Sequence, residues 1–305
     1  MIKNLLVLVV VSLLFSCGNV TPKHKYTVIY EFENLDKITD NEKLGTVEVL
    51  NKRLDQFASN YDVILNNKQQ IQINLSTNLE LEAVNDIVTN SGKLEFWGCF
   101  KASDIGPFFT IMMDLIKAED DTSIKSFETL SGPISGGVLS LASTDVELFE
   151  KTFQNKEILA LLPPDMKRAK FIFGQPVDGR VDLYVVKTPP NGLAFVNETH
   201  ITDARQTYTQ TNRPSISMEM NKKGAERWER MTGIAYQQQS QIAMALNDIV
   251  YSVPTASSGV IKGGKTEISG NFTLQEAQDL ALIFGSHKRI PKLKFVNSSA
   301  INDEQ

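Results

Sequence analysis

Cysteine is scarce in this sequence. The chain has 305 residues and only two cysteines, Cys17 and Cys99. If Cys17 accepts a lipid, as argued below, Cys99 has no partner, and we expect no internal disulfide. Cys99 lies in the apolar run of residues 94 to 100, with no histidine near it in sequence. We therefore expect a buried, inert thiol rather than a nucleophile, and stability that comes from packed cores.

Histidine is equally scarce, which bears on metal binding and catalysis. His24, His200 and His287 lie far apart, and none has the spacing of a zinc site. The acidic run at residues 119 to 121 lacks the alternating ligands of a calcium loop and is expected to be a solvated turn. The serines of the glycine-rich segment 131 to 137 lack the strand–serine–helix pattern of hydrolases. We therefore expect no metal, no cofactor and no enzyme activity.

Positive charge and long apolar runs are also lacking. The formal net charge is −5, which gives no footprint for nucleic acid and argues against broad attraction to anionic lipid. After residue 16 no stretch approaches the ~18 uninterrupted apolar residues of a membrane span. We expect the chain after Cys17 to lie outside the lipid.

The N-terminus resembles a lipoprotein leader. Lys3 precedes an apolar run from Leu5 to Phe15, which is shorter than the ~20 residues of a spanning helix. The sequence Leu-Phe-Ser-Cys that ends at Cys17 resembles the lipobox of bacterial lipoproteins. This predicts a signal peptide at residues 1 to 16, lipidation of Cys17 and a polar tether at residues 17 to 25. The protein would then be lipid-anchored in the cell envelope on the periplasmic face. An ordinary thiol beside a normal cleavage site is the alternative.

The first part of the mature chain predicts a ferredoxin-like unit. Strand, helix, strand, strand, helix and strand follow one another, which places both helices on one face of an antiparallel sheet. The first strand is predicted at 26–33. A helix capped by Thr39 and Glu42 follows, with one face formed by Leu44, Val47, Leu50, Leu54 and Phe57, and then a hairpin of 61–65 and 71–75. A second helix, capped by Thr77 and Glu80, stops near Gly92 and precedes a fourth strand at 93–98.

A second unit begins where the chain becomes richer in glycine and proline, near residue 101. We expect a loop there, then a helix near 145–154 and strands at 181–187 and 215–220. A helix at 222–232 and an apolar stretch at 242–253 follow. A helix from Thr273, capped with Glu276, precedes a last strand at 291–297 that could return to the first sheet. The predicted class is α+β, with a ferredoxin-like base (26–100 and 290–297), an inserted α+β head (101–289) and a tail (298–305).

One motif match is rejected. Gly259 is followed, after four residues, by Gly264, Lys265 and Thr266, which satisfies the phosphate-loop pattern. That pattern needs a helix that starts at its lysine and threonine, so that backbone amides can hold phosphate. Helix signals here begin only at Thr273, and we expect no nucleotide.

A set of short motifs occurs together over about residues 45 to 296, most of the mature chain. They are Lys52-Arg53-Leu54 with Phe57, Leu94-Glu95-Phe96-Trp97, Asp182-Leu183-Tyr184, Asp203-Ala204-Arg205, Ser217-Met218-Glu219-Met220-Asn221, Gly224-Ala225, Trp228, Met231-Thr232-Gly233, residues 242–248, residues 250–254 and residues 268–273. In order and spacing these motifs resemble the first periplasmic domain of the SecD/SecDF family of protein-export factors.

The resemblance implies a function as well as a fold. It implies a ferredoxin-like base interrupted by a head, in a domain that engages the translocating polypeptide while a membrane bundle couples movement to proton flow. The sequence departs from the family at residues 18–25 and 285–291, and it stops near Asn297, about where the family enters its next membrane helix. No proton-carrying residue can be transferred to this chain, and we expect no motor of its own.

The resemblance thus predicts a membrane-tethered periplasmic binding module that assists protein export. Its partners would be unfolded secretory polypeptides or Sec translocon components, and its head would swing about connections near Phe100 and Arg289. The competing hypothesis is an envelope scaffold lipoprotein that kept the fold for an unrelated role. An enzyme ranks third, because no catalytic constellation is present in the sequence.

Overall fold

The computed structural model of the chain describes residues 22–119, 133, 136–255, 257 and 259–300. The predicted leader, Cys17, the acidic residues 120 and 121 and both serines of the glycine-rich segment lie outside the described residues. None of the described helices combines the length and the apolar content of a membrane-spanning segment.

The described residues form both helices and strands. In chain order they are β1 (His24–Phe32), α1 (Asp40–Leu54), β2 (Ala58–Leu65), β3 (Ile71–Thr77), α2 (Leu81–Thr89), β4 (Leu94–Gly98), α3 (Ala102–Glu119), β5 (Leu139–Ala142), α4 (Val146–Thr152), α5 (Lys156–Ala160), β6 (Ala169–Gly174), β7 (Arg180–Lys187), β8 (Val196–Asn197), β9 (Ile201–Tyr208), β10 (Pro214–Met220), α6 (Lys222–Gln238), β11 (Ile242–Leu246), β12 (Ile249–Ser252), β13 (Lys265–Ser269), α7 (Leu274–Gly285) and β14 (Leu293–Ala300).

The base is a four-stranded sheet in the order β14-β1-β3-β2, and its paired strands are antiparallel. Every second residue of β1, from Val28 to Phe32, is buried, as expected for a sheet with one covered face. These side chains share a hydrophobic core with Val49, Leu50 and Leu54 of α1 and with Val84 and Val88 of α2. The predicted hairpin and the return of the last strand to the first sheet are confirmed.

The fourth strand of the base was predicted wrongly. Residues 94–98 do form a strand, but β4 pairs with β11 and β8 in a seven-stranded sheet of the head. The reason is visible in its burial: Leu94, Glu95, Phe96 and Trp97 are all buried, which suits a strand covered on both faces. The fourth base strand is β14, which runs to Ala300, so the predicted tail begins inside a strand.

Two details of the base helices also differ. The capping box of Thr39 and Glu42 is confirmed, but Leu44 is 58% exposed and Phe57 lies beyond the helix. Leu44 points away from the sheet because it is on the opposite side of α1 from the buried Thr46 and Val49. The second capping box was wrong. Thr77 ends β3 and its hydroxyl donates to the Phe57 carbonyl at 3.0 Å, so α2 starts later, after Glu80.

The head contains two sheets, in the orders β5-β7-β6-β12-β11-β4-β8 and β13-β10-β9. Side chains of β11 alternate between two cores. Ile242, Met244 and Leu246 pack with Trp228 of α6 and Leu280 of α7, whereas the small alanines between them pack with Trp97 and Cys99. Helix α6 was predicted to end near residue 232 and is longer, and the predicted apolar stretch is the β11–β12 hairpin.

The expected loop near residue 101 is instead the helix α3. It contains Pro107 in its interior, where proline removes a hydrogen bond and crowds the preceding turn, at a cost of about 3 kcal/mol. Ile105, Phe108 and Met112 of α3 are buried in a core with Phe149 and Leu183. Burial of these large side chains offsets the free-energy cost of the proline. The glycine and proline content of the sequence, from which a loop was predicted, gives no information on this burial.

Candidate functional site

The thiol that the sequence singled out is inert. Cys99 is 4% exposed, and burial raises its pKa to about 12. A thiol that stays protonated at neutral pH is a poor nucleophile, and the prediction that Cys99 is buried is confirmed. In the described part of the chain, no group of three or more histidine, cysteine, aspartate and glutamate residues could hold a metal ion.

The rejected phosphate loop leads into a strand. Lys265 and Thr266 begin β13, which pairs antiparallel with β10, and the Lys265 ammonium lies 2.7 Å from the Glu219 carboxylate. The prediction that these residues do not start a helix is confirmed.

The base and the head are joined by two neighbouring segments. The chain leaves the base through residues 90–93 and returns through residues 290–292, and the Ile290 N–H donates to the Ser91 carbonyl at 2.8 Å. The return segment lies beside Arg289, where the sequence predicts a connection. The one near Phe100 was wrong, because Leu94 is already buried in a core of the head. The Phe100 N–H itself donates to the Val185 carbonyl of β7 at 2.8 Å.

A hairpin turn of the head holds the outgoing segment. Asn247 and Asp248 connect β11 to β12 with positive φ angles of 52° and 66°, which is the geometry of a two-residue turn between antiparallel strands. The Asn247 N–H donates to the Lys93 carbonyl at 3.0 Å. Its side-chain oxygen accepts from the Lys93 N–H at 3.2 Å and from the Ser91 hydroxyl, and its amide nitrogen donates to Asn90 at 2.9 Å. One amide side chain therefore bonds three of the four residues of the connection, Asn90, Ser91 and Lys93.

An arginine of the base holds the same segment from the other side. The Arg53 side chain of α1 is fully buried, and its Nη1 donates to the carbonyls of Ile87 at 2.8 Å and Asn90 at 2.6 Å. Its Nε and Nη2 have no hydrogen-bond partner among the described residues, and burial lowers the pKa of Arg53 to about 10. A Cβ on Gly92, whose φ is +73°, would lie 2.9 Å from Nη2. Any side chain at residue 92 would therefore collide with the Arg53 guanidinium.

Ion pairs surround the junction. The Lys93 ammonium lies 2.9 Å from Asp248 and 3.4 Å from Glu95, and Lys170 also contacts Asp248. Burial acts to lower the pKa of Lys93, but the hydrogen bond to Asp248 and the charges of Glu95 and Asp248 outweigh it and raise the pKa. Burial likewise acts to raise the pKa of Asp248, and its bonds to Lys170 and Lys93 lower it. Both groups are therefore charged at neutral pH.

The head carries an open cleft of about 950 Å³ beside the edge strand β13. This strand pairs with β10 on one side only, and its last residue, Ser269, lines the cleft. Aromatic side chains and charges of both signs share the wall. They include Arg180, Tyr184, Arg213, Tyr251, Phe272 and Glu276. Ser269 ends β13 at the cleft, where its carbonyl accepts a hydrogen bond from the Ser252 hydroxyl. The cleft therefore offers apolar surface and charges of both signs to a ligand.

A second groove, of about 820 Å³, runs between the base and the head. The end of α1 forms one wall, with Lys52 and Asp55, and α7 with residues 203–206 of β9 forms the other. Beside it, Lys288 reaches across to Glu48 of α1 at 3.3 Å. Any rotation of the head about the two connections would widen or narrow this groove.

The sequence analysis did not identify Asn247 or Arg53 as functional. An Asn-Asp pair between two apolar runs is a turn signal, and it could have located the hairpin, though not what its amide would touch. Arg53 belongs to one of the motifs that carry the family resemblance, but nothing in a helical pattern shows that a charged residue will be buried.

Comparison with known proteins finds similarity to SecD and SecDF proteins. Residues 178–286 match the family model described as the SecDF P1 head subdomain. The chain is 32% identical to the protein translocase subunit SecD of Rhodothermus marinus over 158 residues. The aligned segment is 50% of this chain and 25% of that protein. It is 29% identical over 160 residues to SecD of Calditerrivibrio nitroreducens, which covers 50% of this chain and 30% of that protein. The chain thus matches only a quarter to a third of these relatives.

Two solved structures share the fold. A crystal structure of SecDF in a super-membrane-facing form matches with a TM-score of 0.54 at 17% identity, over 90% of this chain and 30% of that one. A structure from work on SecDF as a membrane component that enhances protein export matches with a TM-score of 0.52 at 18% identity, over 90% of this chain and 100% of that one. The predicted α+β class, with a base and an inserted head, is confirmed.

Proposed function

We propose that this protein, which carries a first periplasmic domain of the SecD/SecDF type, is a membrane-tethered module that assists protein export by contacting the translocating polypeptide or the translocon. The observation that carries the proposal is the match of residues 178–286 to the head subdomain, since most of the cleft beside β13 lies in that segment. In this proposal the chain supplies binding, and an export complex supplies the energy.

The cleft supports contact with unfolded chains. Tyr251 and Phe272 offer apolar contact, and the nearby arginines and Glu276 offer charge of both signs. A site of this kind suits a module that meets many secretory polypeptides, each in an extended state.

Photo-crosslinking in intact cells tests this contact. A photoreactive residue at Val177, which is 41% exposed in the cleft, or at Thr211 should give adducts with secretory polypeptides or translocon subunits. The matched control is Leu44, which is 58% exposed on α1 of the base, and it should give none. Cleft adducts that contain neither class of protein would contradict the proposal, and adducts only with other envelope proteins would favour the scaffold role.

The tether is the second part of the proposal. We place a lipid on Cys17 after removal of residues 1–16, on the strength of the leader and the Leu-Phe-Ser-Cys sequence. Strand β1 begins at His24, and the intervening residues span at most about 25 Å when fully extended. Such a short tether would hold the base close to the membrane surface, on the periplasmic side.

Metabolic labelling with a fatty acid analogue tests the lipid. The wild-type protein should incorporate the label and migrate as the processed form, whereas Cys17→Ser should do neither. The matched control, Cys99→Ser, removes the other thiol and should label like the wild type. Equal labelling of wild type and Cys17→Ser would overturn the anchor, and it would leave the proposed role of the cleft untouched.

A further inference from the structure

Two buried carboxylates lie where the head meets the connections to the base. Glu95 of β4 and Glu198, in the turn that follows β8, are each only 8% exposed. Strand β4 pairs with β8 in a register that places Glu95 opposite Asn197, the residue before Glu198. Because β4 follows directly on residues 90–93, both carboxylates belong to the part of the head that adjoins the junction.

Only one of these two carboxylates is paired with cations. Glu95 lies 3.4 Å from the Lys93 ammonium and 3.9 Å from that of Lys170. Both lysines also contact Asp248, so two cations are matched by two carboxylates. In the part of the chain that the structure describes, no cation lies within 4 Å of the Glu198 carboxylate. A carboxylate that is buried without a paired cation is unfavourable in its ionised form.

The charges that face Glu198 come from both connections. Burial is the largest influence on Glu198 and raises its pKa. The charge of Glu95 raises the pKa as well, whereas Arg289, beside the return segment, and Lys93, in the outgoing segment, lower it. Helix α6 also packs against this turn, but its cations act on the neighbouring His200 rather than on Glu198. The junction therefore opposes the ionisation of Glu198.

From this arrangement we propose that Glu198 is a pH-dependent latch of the junction. The protonated carboxyl stays packed beside the two connections, and its ionisation loosens the contact between the head and the connections. The physical reason is linkage. A proton binds more tightly to the buried carboxylate than to one in water, so protonation favours the arrangement in which Glu198 is buried. The proton comes from the solvent, and the latch does not depend on what the cleft beside β13 binds.

Carboxyl NMR of the full chain, with isotope-labelled glutamate, measures the charge state directly. Glu198→Gln identifies the signal of Glu198. Its titration midpoint should lie above that of Glu267, an exposed glutamate of β13. Arg289→Gln should raise the Glu198 midpoint further, because the arginine stabilises the ionised form. A Glu198 midpoint at or below that of Glu267 would overturn the latch.

Hydrogen exchange measures the motion of the junction. Protection factors, which correct for the intrinsic effect of pH on exchange, should be several-fold higher at about pH 5 than at about pH 7 for the amides of residues 91–93 and Ile290. Glu198→Gln should show the higher protection at both pH values, because glutamine is neutral and of nearly the same shape. The matched control Glu267→Gln removes an exposed carboxylate and should follow the wild type. Wild-type pH dependence in Glu198→Gln would assign the effect to another group and contradict the proposal.

Urea unfolding separates the latch from an ordinary ion pair. Because the folded state holds the proton of Glu198 more tightly than the unfolded chain does, ionisation lowers the stability as the pH rises. Glu198→Gln should therefore have a higher urea midpoint than the wild type at neutral pH. The difference should shrink toward about pH 4, where the unfolded glutamate is itself mostly protonated. A lower midpoint for Glu198→Gln at neutral pH would mean that the ionised carboxylate stabilises the junction through Arg289 and Lys93, which would overturn the latch.

Discussion

Arg53 is a cation inside the protein whose hydrogen bonds go to carbonyl oxygens rather than to a carboxylate. Burying a charge without a carboxylate partner carries a large desolvation free energy, which destabilises the folded state. The expense is partly offset because Ile87 and Asn90 lie at the end of α2, where backbone carbonyls are unpaired and the helix dipole is negative. Arg53 therefore caps one helix from another and fixes the point where the chain leaves the base.

Replacing Arg53 with methionine should destabilise the protein. The variant keeps the apolar stem but leaves two buried carbonyls without a donor, and we expect a loss of about 2–3 kcal/mol in the free energy of unfolding. Urea denaturation measures it. The neighbouring Lys52→Met changes the same charge at an exposed position and should stay within about 0.5 kcal/mol of the wild type. Similar values for the two variants would show that the carbonyl contacts contribute little.

At the scale of elements, the β11–β12 hairpin acts through its tip. Its strands are buried within the seven-stranded sheet, and its turn reaches the connection between the base and the head. Hydrogen bonds from the turn therefore restrict the motion of residues 90–93. Substitution of Asn247 with glycine isolates this effect, because glycine accepts the positive φ and removes only the side chain.

We expect Asn247→Gly to lose about 1–3 kcal/mol of stability, since its amide bonds three groups of the connection. Backbone amides of residues 91–93 should also exchange hydrogen faster. Hydrogen exchange with mass spectrometry reads both effects. Asn34→Gly is the matched control, because Asn34 has a φ of 54° and no capping bond from its side chain. Unaltered exchange at residues 91–93 would refute a role for the hairpin tip.

Elements differed in how far the sequence could predict them. The helices with capping boxes at Thr39 and Thr273 start as expected, because caps are local interactions. The partner of β4 could not be predicted, since strand pairing depends on burial of both faces by residues that are distant in sequence. The cleft beside β13 unites segments from across the head, and no single stretch of sequence contains it.

At the scale of the molecule, two side-by-side connections and the Lys288–Glu48 contact determine how the head sits on the base. If movement of the head assists export, joining the two parts should abolish the effect. Glu48→Cys with Lys288→Cys, joined by a short bis-maleimide, should reduce client adducts at Val177 several-fold. Each single-cysteine variant treated with the same reagent should behave like wild type. Full adduct yield in the joined protein would mean that binding needs no rotation.

Strand β1 pairs with β3 on one side and with β14 on the other, in a register that joins Tyr26 to Ala300. The two segments that flank the head must therefore meet to complete the base, and contacts so distant in sequence form slowly. During synthesis from the N-terminus, β1 is made early and β14 is made late. Until β14 is made, one edge of β1 is open, so the base completes its own folding only after the whole head has been synthesised.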